Sequence, residues 1–521
     1  MMDYSAKEKW NRLDGERSSY VLRARKCSEL TLPYMYPAAG TGSASALPTP
    51  YNSLGARGVN NLAAKLLLSL LPPNTPFFRF TINRETLRAA ESADLLGELD
   101  YAFSEMEKEI MDEIESMQTR PIMYEAMRHL LISGNGLIEL TPKGKWRFRG
   151  LESYVVERDP SDNIIHIVTK EVSDLSVLSP EIRAAVYMES GDVAREVDVY
   201  TIACRNESGK FDVWQEVAGI EVADSRSTYA AEDLPYVVLR WNRVSDEDYG
   251  RGLVEEYLGD LISLEGLTRS IVEASMAASR MLFLVNPNGL TQARTLQDAP
   301  NGAIREGIAD DVSVLQVEKY QDFRVALDTM DGIKDRLGYA FLLNTAVQRG
   351  GERVTATEVR AMISELESSL GGVFATLSEE LSQPLVLIVM GQMLRKKKLR
   401  KMPKGMVRPV IVTGLDALGR GQDLQKLDAF VVGVKDSLGP QALAQYLNVQ
   451  GYLTKRASAL GLDLNGLVKS QEQIQQETEQ AQQQASIEKL GPSVVQGGAK
   501  LMQAQMQQGQ QMQPGAMTQN G

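Results

Sequence analysis

The segment Gln348-Arg349-Gly350-Gly351-Glu352-Arg353 brings two guanidinium groups close together around a pair of glycines. Guanidinium stays charged and presents a donor fork that fits phosphate oxygens. Glycine opens backbone conformations denied to other residues, so the pair acts as a hinge. Such a segment is suited to weak, repeatable contact with a moving polyanion rather than to bond-breaking. In a single copy, a solvated hairpin with its arginines in local salt bridges accounts for the same residues. Many copies ringing a polyanion would turn it into a collar of renewable phosphate contacts. A second basic run, Arg395-Lys396-Lys397-Lys398-Leu399-Arg400-Lys401, reads either as a solvated helix end or as a secondary DNA contact.

The familiar catalytic constellations are missing from the sequence. Gly144-Lys145 is followed by Trp146 and lacks the upstream glycine of a phosphate loop. Gly134-x-Gly136 and Gly419-x-Gly421 are incomplete dinucleotide fingerprints. There is no G-x-S-x-G elbow and no H-E-x-x-H pair. The chain has two histidines, His129 and His166, and two cysteines, Cys27 and Cys204. That excludes a cysteine-rich zinc site and argues against a disulfide framework. His129, beside Leu130 and Leu131, reads as a structural histidine, and both cysteines read as inert buried thiols. The acidic pairs Glu255-Glu256 and Asp310-Asp311 leave a two-metal nuclease as a rival reading. No catalytic residue, metal or cofactor is assigned.

The elements that must position the glycine-hinged segment are mostly helices. A long helix is expected to follow it, over 355–394, with Thr355 and Glu358 as a capping box. About 40 residues at 1.5 Å each span roughly 60 Å. Gly371-Gly372 and Pro384 should bend it. Before the segment, apolar spacing predicts helices over 253–283 and 325–344, bracketing a small α+β insert over 284–324. Upstream, helices are expected near 3–32, 53–71, 91–117 and 121–133, with a strand at 77–82. Alternating stretches from 137 to 241 read as antiparallel β structure. Helices should resume over 421–469. Past 470 the chain is rich in Gln, Met and Gly, and 490–521 reads as disordered.

Length and composition suit a soluble protein of two to four regions, and the element pattern above reads as an α+β fold. The 521 residues are 43% hydrophobic and 24% charged, with a formal net charge of −12. An acidic chain is a poor static DNA binder, but a mostly repulsive wall suits a surface along which DNA slides. Met1–Leu30 is charged and polar, so no signal peptide is expected. The runs Leu62–Leu71 and Pro384–Met390 are too short to span a bilayer. A cytoplasmic origin and no membrane partner are expected.

Several stretches resemble a known family. They are Gly55-Ala56-Arg57-Gly58-Val59-Asn60-Asn61-Leu62-Ala63, Tyr249-Gly250-Arg251-Gly252 through Leu261, Asn344 through Ala356, and Thr413-Gly414-Leu415-Asp416-Ala417-Leu418-Gly419-Arg420-Gly421-Gln422-Asp423. Together they are similar to the head-to-tail connector, or portal protein, of short-tailed podoviruses, from about residue 5 to 470. The resemblance implies a mostly helical portal fold assembled as a ring, typically a dodecamer, at the capsid portal vertex of the virion. It implies a wing (1–250), stem helices (251–283 and 325–344), a clip (284–324), a tunnel loop (345–354), a kinked wing-to-crown helix (355–394), a crown (395–470) and a tail (471–521). Gln348, Arg349, Gly350, Gly351 and Arg353 would be the loop's DNA-contacting residues. Arg395, Lys396, Lys397, Lys398, Arg400 and Lys401 would be a secondary contact to DNA or to internal core proteins. Implied partners are double-stranded DNA, the terminase large subunit, the tail adaptor, the major capsid protein and the scaffolding protein. The family has no catalytic activity. A non-enzymatic helical scaffold without a DNA channel is the alternative.

Overall fold

Helix α1, Ala6–Glu29, starts at a capping box in which the Glu8 N–H donates to Ser5 Oγ and the Ser5 N–H donates to the Glu8 carboxylate. The computed structural model describes residues 5–42, 45–72, 76–82, 96–178, 196–278, 282–315, 320–343, 356–399, 407–411 and 428–437, with single positions between 180 and 186 and between 439 and 456. The chain divides into two units, Met1–Gly419 and Arg420–Gly521. In the second, 428–437 is helical, and the Tyr452 hydroxyl donates to Asp428 Oδ1 at 2.6 Å. The expected bounds of the tail, 471–521, lie outside the described residues, as does most of the expected 421–469 helical region.

The first unit is mixed α+β around one main core. Helix α2, Leu54–Leu70, buries Val59, Leu62, Ala63, Leu66 and Leu70 on one face. Strand β1, Phe78–Ile82, and helices α3, Leu96–Ser116, and α4, Thr119–Ser133, follow. Strands β2 (Asn135–Leu140), β3 (Trp146–Arg149), β4 (Tyr154–Arg158), β5 (Ile164–Asp174), β6 (Glu196–Arg205), β7 (Phe211–Val217), β8 (Ile220–Glu221), β9 (Ser227–Tyr229) and β10 (Tyr236–Arg240) build two antiparallel sheets. One is ordered β10-β2-β3, the other β4-β5-β6-β7-β8 with β9 on β7. Helix α1 lies on the second sheet, where Trp10 and Leu13 pack with Val155, Val168, Tyr200 and Ile202.

After the sheets come a single turn, α5 (Leu253–Glu256), and the long helix α6 (Leu258–Ala278). The helix expected over 253–283 is therefore broken at Tyr257 and gives way before 283. Leu282 and Phe283 instead belong to strand β11, Leu282–Val285. A short helix α7 (Ala293–Gln297) and strand β12 (Val312–Leu315) complete the insert, with Leu282 paired to Leu315. Helix α8 runs Tyr320–Ala340, beginning and ending earlier than the expected 325–344. It packs antiparallel to α6: Arg336 pairs with Asp260 at 2.8 Å, and Thr268 lies against Met330. The half of this hairpin nearest the core buries Leu261, Leu264, Ile333 and Leu337, whereas its far half exposes Met276 and Val325.

Helix α9, Ala356–Leu377, is broken at Leu370, the residue before Gly371-Gly372. Ser378–Ser382 is π-helical, and α10, Gln383–Arg395, continues with Pro384 in its first turn. Thr355, half of the expected capping box, lies outside the described residues. Ser368–Arg395 is long and apolar enough to cross a membrane by length and composition. Within the fold its Phe374, Leu377, Leu381, Leu385, Val386 and Val389 join the main core. Strand β13, Val407–Ile411, falls in the stretch expected to be crown, yet it pairs antiparallel with β1, Phe78 opposite Ile411.

Two glycine-flanked turns meet at the base of the α6–α8 hairpin. Gly134 ends α4 with φ +75°, and a Cβ there would lie 2.5 Å from Gly252 N. A Cβ on Gly252 would lie 2.8 Å from Ile132 O. Between them the Asn135 amide donates to Gly250 O at 2.9 Å, and its oxygen accepts from Gly250 N–H at 2.7 Å. Backbone meets backbone here with no room for a side chain.

Candidate nucleic-acid interface

Gln348, Arg349, Gly350, Gly351 and Arg353 lie outside the described residues, and the structure fixes the point at which the chain departs toward them. Helix α8 closes in a left-handed cap at Leu342, φ +50°. The Leu343 N–H reaches Gly338 O at 2.8 Å and the Leu342 N–H reaches Tyr339 O at 3.1 Å, the paired bonds of a Schellman motif. Helix α2 grips this cap. The Phe341 ring sits against Gly58, where a Cβ would fall 2.5 Å from the ring. Asn61 Nδ2 donates to Phe341 O and Leu342 O, each at 3.3 Å. Lys65 Nζ donates to Leu342 O at 2.7 Å, with Lys65 only 6% exposed. A buried cation at a helix C-terminus meets the negative end of the helix dipole.

Gly58, Asn61 and Lys65 therefore share one face of α2, at the i, i+3, i+7 spacing that a helix aligns. The sequence carried that spacing, but its purpose needed the partner helix. Lys65→Met should cost about 2 kcal/mol, from the lost charge-assisted bond to Leu342 O and the lost cation at the helix C-terminus. Chemical denaturation of Lys65→Met beside Lys65→Arg checks it, and equal stability of all three proteins would contradict it.

The second basic run is described as far as Leu399, and Arg400 and Lys401 lie outside. Arg395, Lys396, Lys397 and Lys398 are exposed at the end of α10. Lys397 takes φ +57°, and the Lys398 N–H bonds to Met393 O at 2.9 Å, a second Schellman closure. Two of the four cations are paired: Lys398 with Glu113 at 2.7 Å, and Arg395 with Asp233 at 4.0 Å. The chain stops its helix here, and cations in the last turn suit its dipole.

The charged groups elsewhere in this unit mostly serve the fold. Arg240, 2% exposed, forks onto both Asp162 oxygens at 2.8 and 2.7 Å and reaches Glu380 Oε1 at 2.6 Å. Arg243 adds bonds to Asp162 and to Glu379. The Arg240 bonds hold the Asp162 carboxyl down at about 2. Arg158, Asp162, Arg240, Glu379 and Glu380 line a cleft of about 400 Å³, where these charges answer one another. Glu255 pairs with Arg251 at 3.0 Å, and Asp311 accepts from Thr291 Oγ1 at 3.0 Å. Among the described residues no three His, Cys, Asp or Glu side chains gather as a metal site. His129 Nδ1 lies 2.7 Å from the Tyr36 hydroxyl, and burial pushes its pKa down to about 3. Burial pushes the Cys27 thiol up to about 12, while Cys204, expected to be buried, is half-exposed.

Residues 4–468 match the family described as bacteriophage head to tail connecting protein. The chain is 40% identical to the portal protein of Escherichia phage T7 over 503 residues, covering 95% of this chain and 94% of that one. It is 39% identical to the portal protein of Enterobacteria phage T3 over 502 residues, with 95% and 93% covered. Identity to the portal protein of Enterobacteria phage SP6 is 28% over 506 residues, covering 96% of each. Among solved structures, the neck of an empty gene transfer agent particle is similar over 78% of this chain and 89% of that one, at 10% identity and a TM-score of 0.39.

Proposed function

Since this chain belongs to the bacteriophage head to tail connecting protein family and is a portal protein of a tailed phage, we propose that twelve copies close into a ring at the capsid vertex. Double-stranded DNA would enter through its bore during packaging and leave during ejection. The observation that carries this reading is the extent of the family match, residues 4–468, which takes in the glycine-hinged segment and both its flanks. The α6–α8 hairpin supports it. Its outer half exposes Met276 and Val325, and the insert at its end exposes Phe283 and Leu284, apolar surface that neighbouring copies would cover.

In this ring the hairpin is the stem, rooted on α2 and on the glycine turns. Gln348–Arg353 departs from the anchored Leu342 cap into the bore. Arg349 and Arg353 supply weak phosphate contacts while Gly350 and Gly351 let the loop yield as the duplex moves. The net charge of −12 per copy keeps the rest of the wall from holding DNA. Residues 1–250 form the wing, 355–394 the spine and 395–470 the crown. The major capsid, scaffolding and internal core proteins meet the outer faces. No catalytic step is assigned to the chain. Packaging work falls to the terminase.

The double variant Arg349→Ala, Arg353→Ala tests the loop. Rings should still form, while stably filled particles fall by about tenfold or more, the order of affinity lost with two phosphate contacts per copy. Normal genome length and retention in that variant would refute the loop's role. Micrographs of assemblies with no central opening would instead favour a helical scaffold. The insert between α6 and α8 is the proposed dock for the terminase large subunit and then the tail adaptor. Its removal should leave rings visible and abolish both interactions in pull-down, and retained binding would overturn that assignment.

A further inference from the structure

The fold brings a second basic segment onto the end of α10. The β2–β3 turn carries Lys143-Gly144-Lys145, and Gly144 adopts φ +76° at its tip. A Cβ on Gly144 would stand 3.5 Å from Lys396 Nζ and 3.1 Å from Gln392 Nε2, so the turn rests directly on the helix end. Lys143, Lys145, Lys396 and Lys397 are all exposed. Glu113 and Asp233 answer Lys398 and Arg395. Among the described residues no carboxylate pairs with the other four lysines. On a chain of net charge −12, this is a local reversal of sign. The helix dipole accounts for cations in the last turn of α10 but does not require two more on the facing turn.

We infer that Lys143, Lys145, Lys396 and Lys397 form a second, sequence-independent contact for the DNA phosphate backbone, separate from the arginine loop. The chemistry favours a nucleic acid over an acidic protein partner. A protein interface needs an apolar or aromatic centre inside its polar rim. No large hydrophobic side chain is exposed at 141–146 or 392–399, and Trp146 is buried. Lysines act as point charges on mobile stems and suit phosphates that offer no fixed geometry. Choosing DNA as the polyanion rests on the portal reading, and the experiment separates the two.

The assembled protein is titrated against a covalently closed circular duplex, which cannot thread a ring and so reports only contacts outside the bore. The variant Lys143→Ala, Lys145→Ala, Lys396→Ala, Lys397→Gly removes the patch, glycine being chosen where φ is already positive. Its affinity for the circle should fall by about tenfold or more, and its log affinity–log salt slope should shrink by roughly 3–4. The variant Arg349→Ala, Arg353→Ala should bind the circle like the parent. The proposal is overturned if the parent ignores the circle, if the lysine variant keeps affinity and slope, or if polyglutamate competes as well as DNA at equal charge. Micrographs without rings, alongside lysine-dependent circle binding, would sink the portal reading and leave the patch standing.

Discussion

Arg240→Ala is expected to destabilise the protein by about 3–5 kcal/mol in chemical denaturation at fixed protein concentration. The guanidinium is 2% exposed and holds two carboxylates from distant parts of the chain, Asp162 and Glu380. Deleting it leaves Glu380, whose side chain is 11% exposed, without its main counter-charge. Arg243→Ala makes a stringent comparison, because it touches the same acids from a side chain 38% exposed and should cost under about 1 kcal/mol. The acid side of the stability curve supplies a second readout. Asp162 titrates near 2 in the fold and at 3.8 ordinarily, so its contribution is full above about pH 4 and is lost as pH falls through 2. In Arg240→Ala that carboxyl should return toward its ordinary value and the acid-dependent loss should shrink. Equal stability of the Arg240→Ala and Arg243→Ala proteins would mean the buried network contributes nothing special.

Gly134→Val should be at least as damaging, on the order of 4 kcal/mol or outright failure to fold. Two independent costs combine there. The φ of +75° is poor for any branched residue. The new Cβ would also overlap the backbone of Arg251 and Gly252, which cannot move without opening the Asn135–Gly250 bonds. Gly15→Ala is the counterpart. Gly15 lies exposed inside α1 with nothing within 4 Å of its would-be Cβ, so alanine should gain about 0.5–1 kcal/mol. Soluble yield and denaturation midpoints of the two variants, compared with the parent, decide the matter. A soluble Gly134→Val protein of parental stability would show that the joint yields.

Features governed by neighbouring residues were open to reading from the sequence. Gly371-Gly372 and Pro384 act within a turn of themselves, and the breaks at Leu370 and Ser378–Ser382 lie beside them. Periodic stripes such as Leu261, Leu264, Leu267 and Ile271 placed α6. Its end differs from the expected 283 because Leu282-Phe283-Leu284-Val285 continues the apolar run, and a short apolar run suits strand and helix alike. Strand β13 went unread because Pro409 sits inside it and its partner, β1, lies on the far side of the sequence. The Arg240 network escaped for the same reason: Asp162 and Glu380 are 78 and 140 residues away. The arginine–glycine segment stands out by composition alone, and it lies outside the described residues. Lys65 and Asn61 do not stand out, because a polar residue on a helix declares its partner only once the facing carbonyls are in place. Lys143 and Lys145 gain significance only in the fold, which sets the Gly144 turn against Lys396.

The tight contacts at Gly58 and Gly134 differ in what a genetic screen could repair. At Gly58 the nearest neighbour is Cγ of the Phe341 ring, so the crowding caused by alanine can be relieved by truncating Phe341 to alanine, which deletes Cγ and the ring. At Gly134 the neighbours are main-chain atoms of Arg251 and Gly252, present whatever side chain either position carries. No exchange of volume between partners is available there. Intragenic suppressors should be recoverable for the first lesion and absent for the second, which makes the α4–β2 turn the less evolvable end of the foundation under the α6–α8 hairpin.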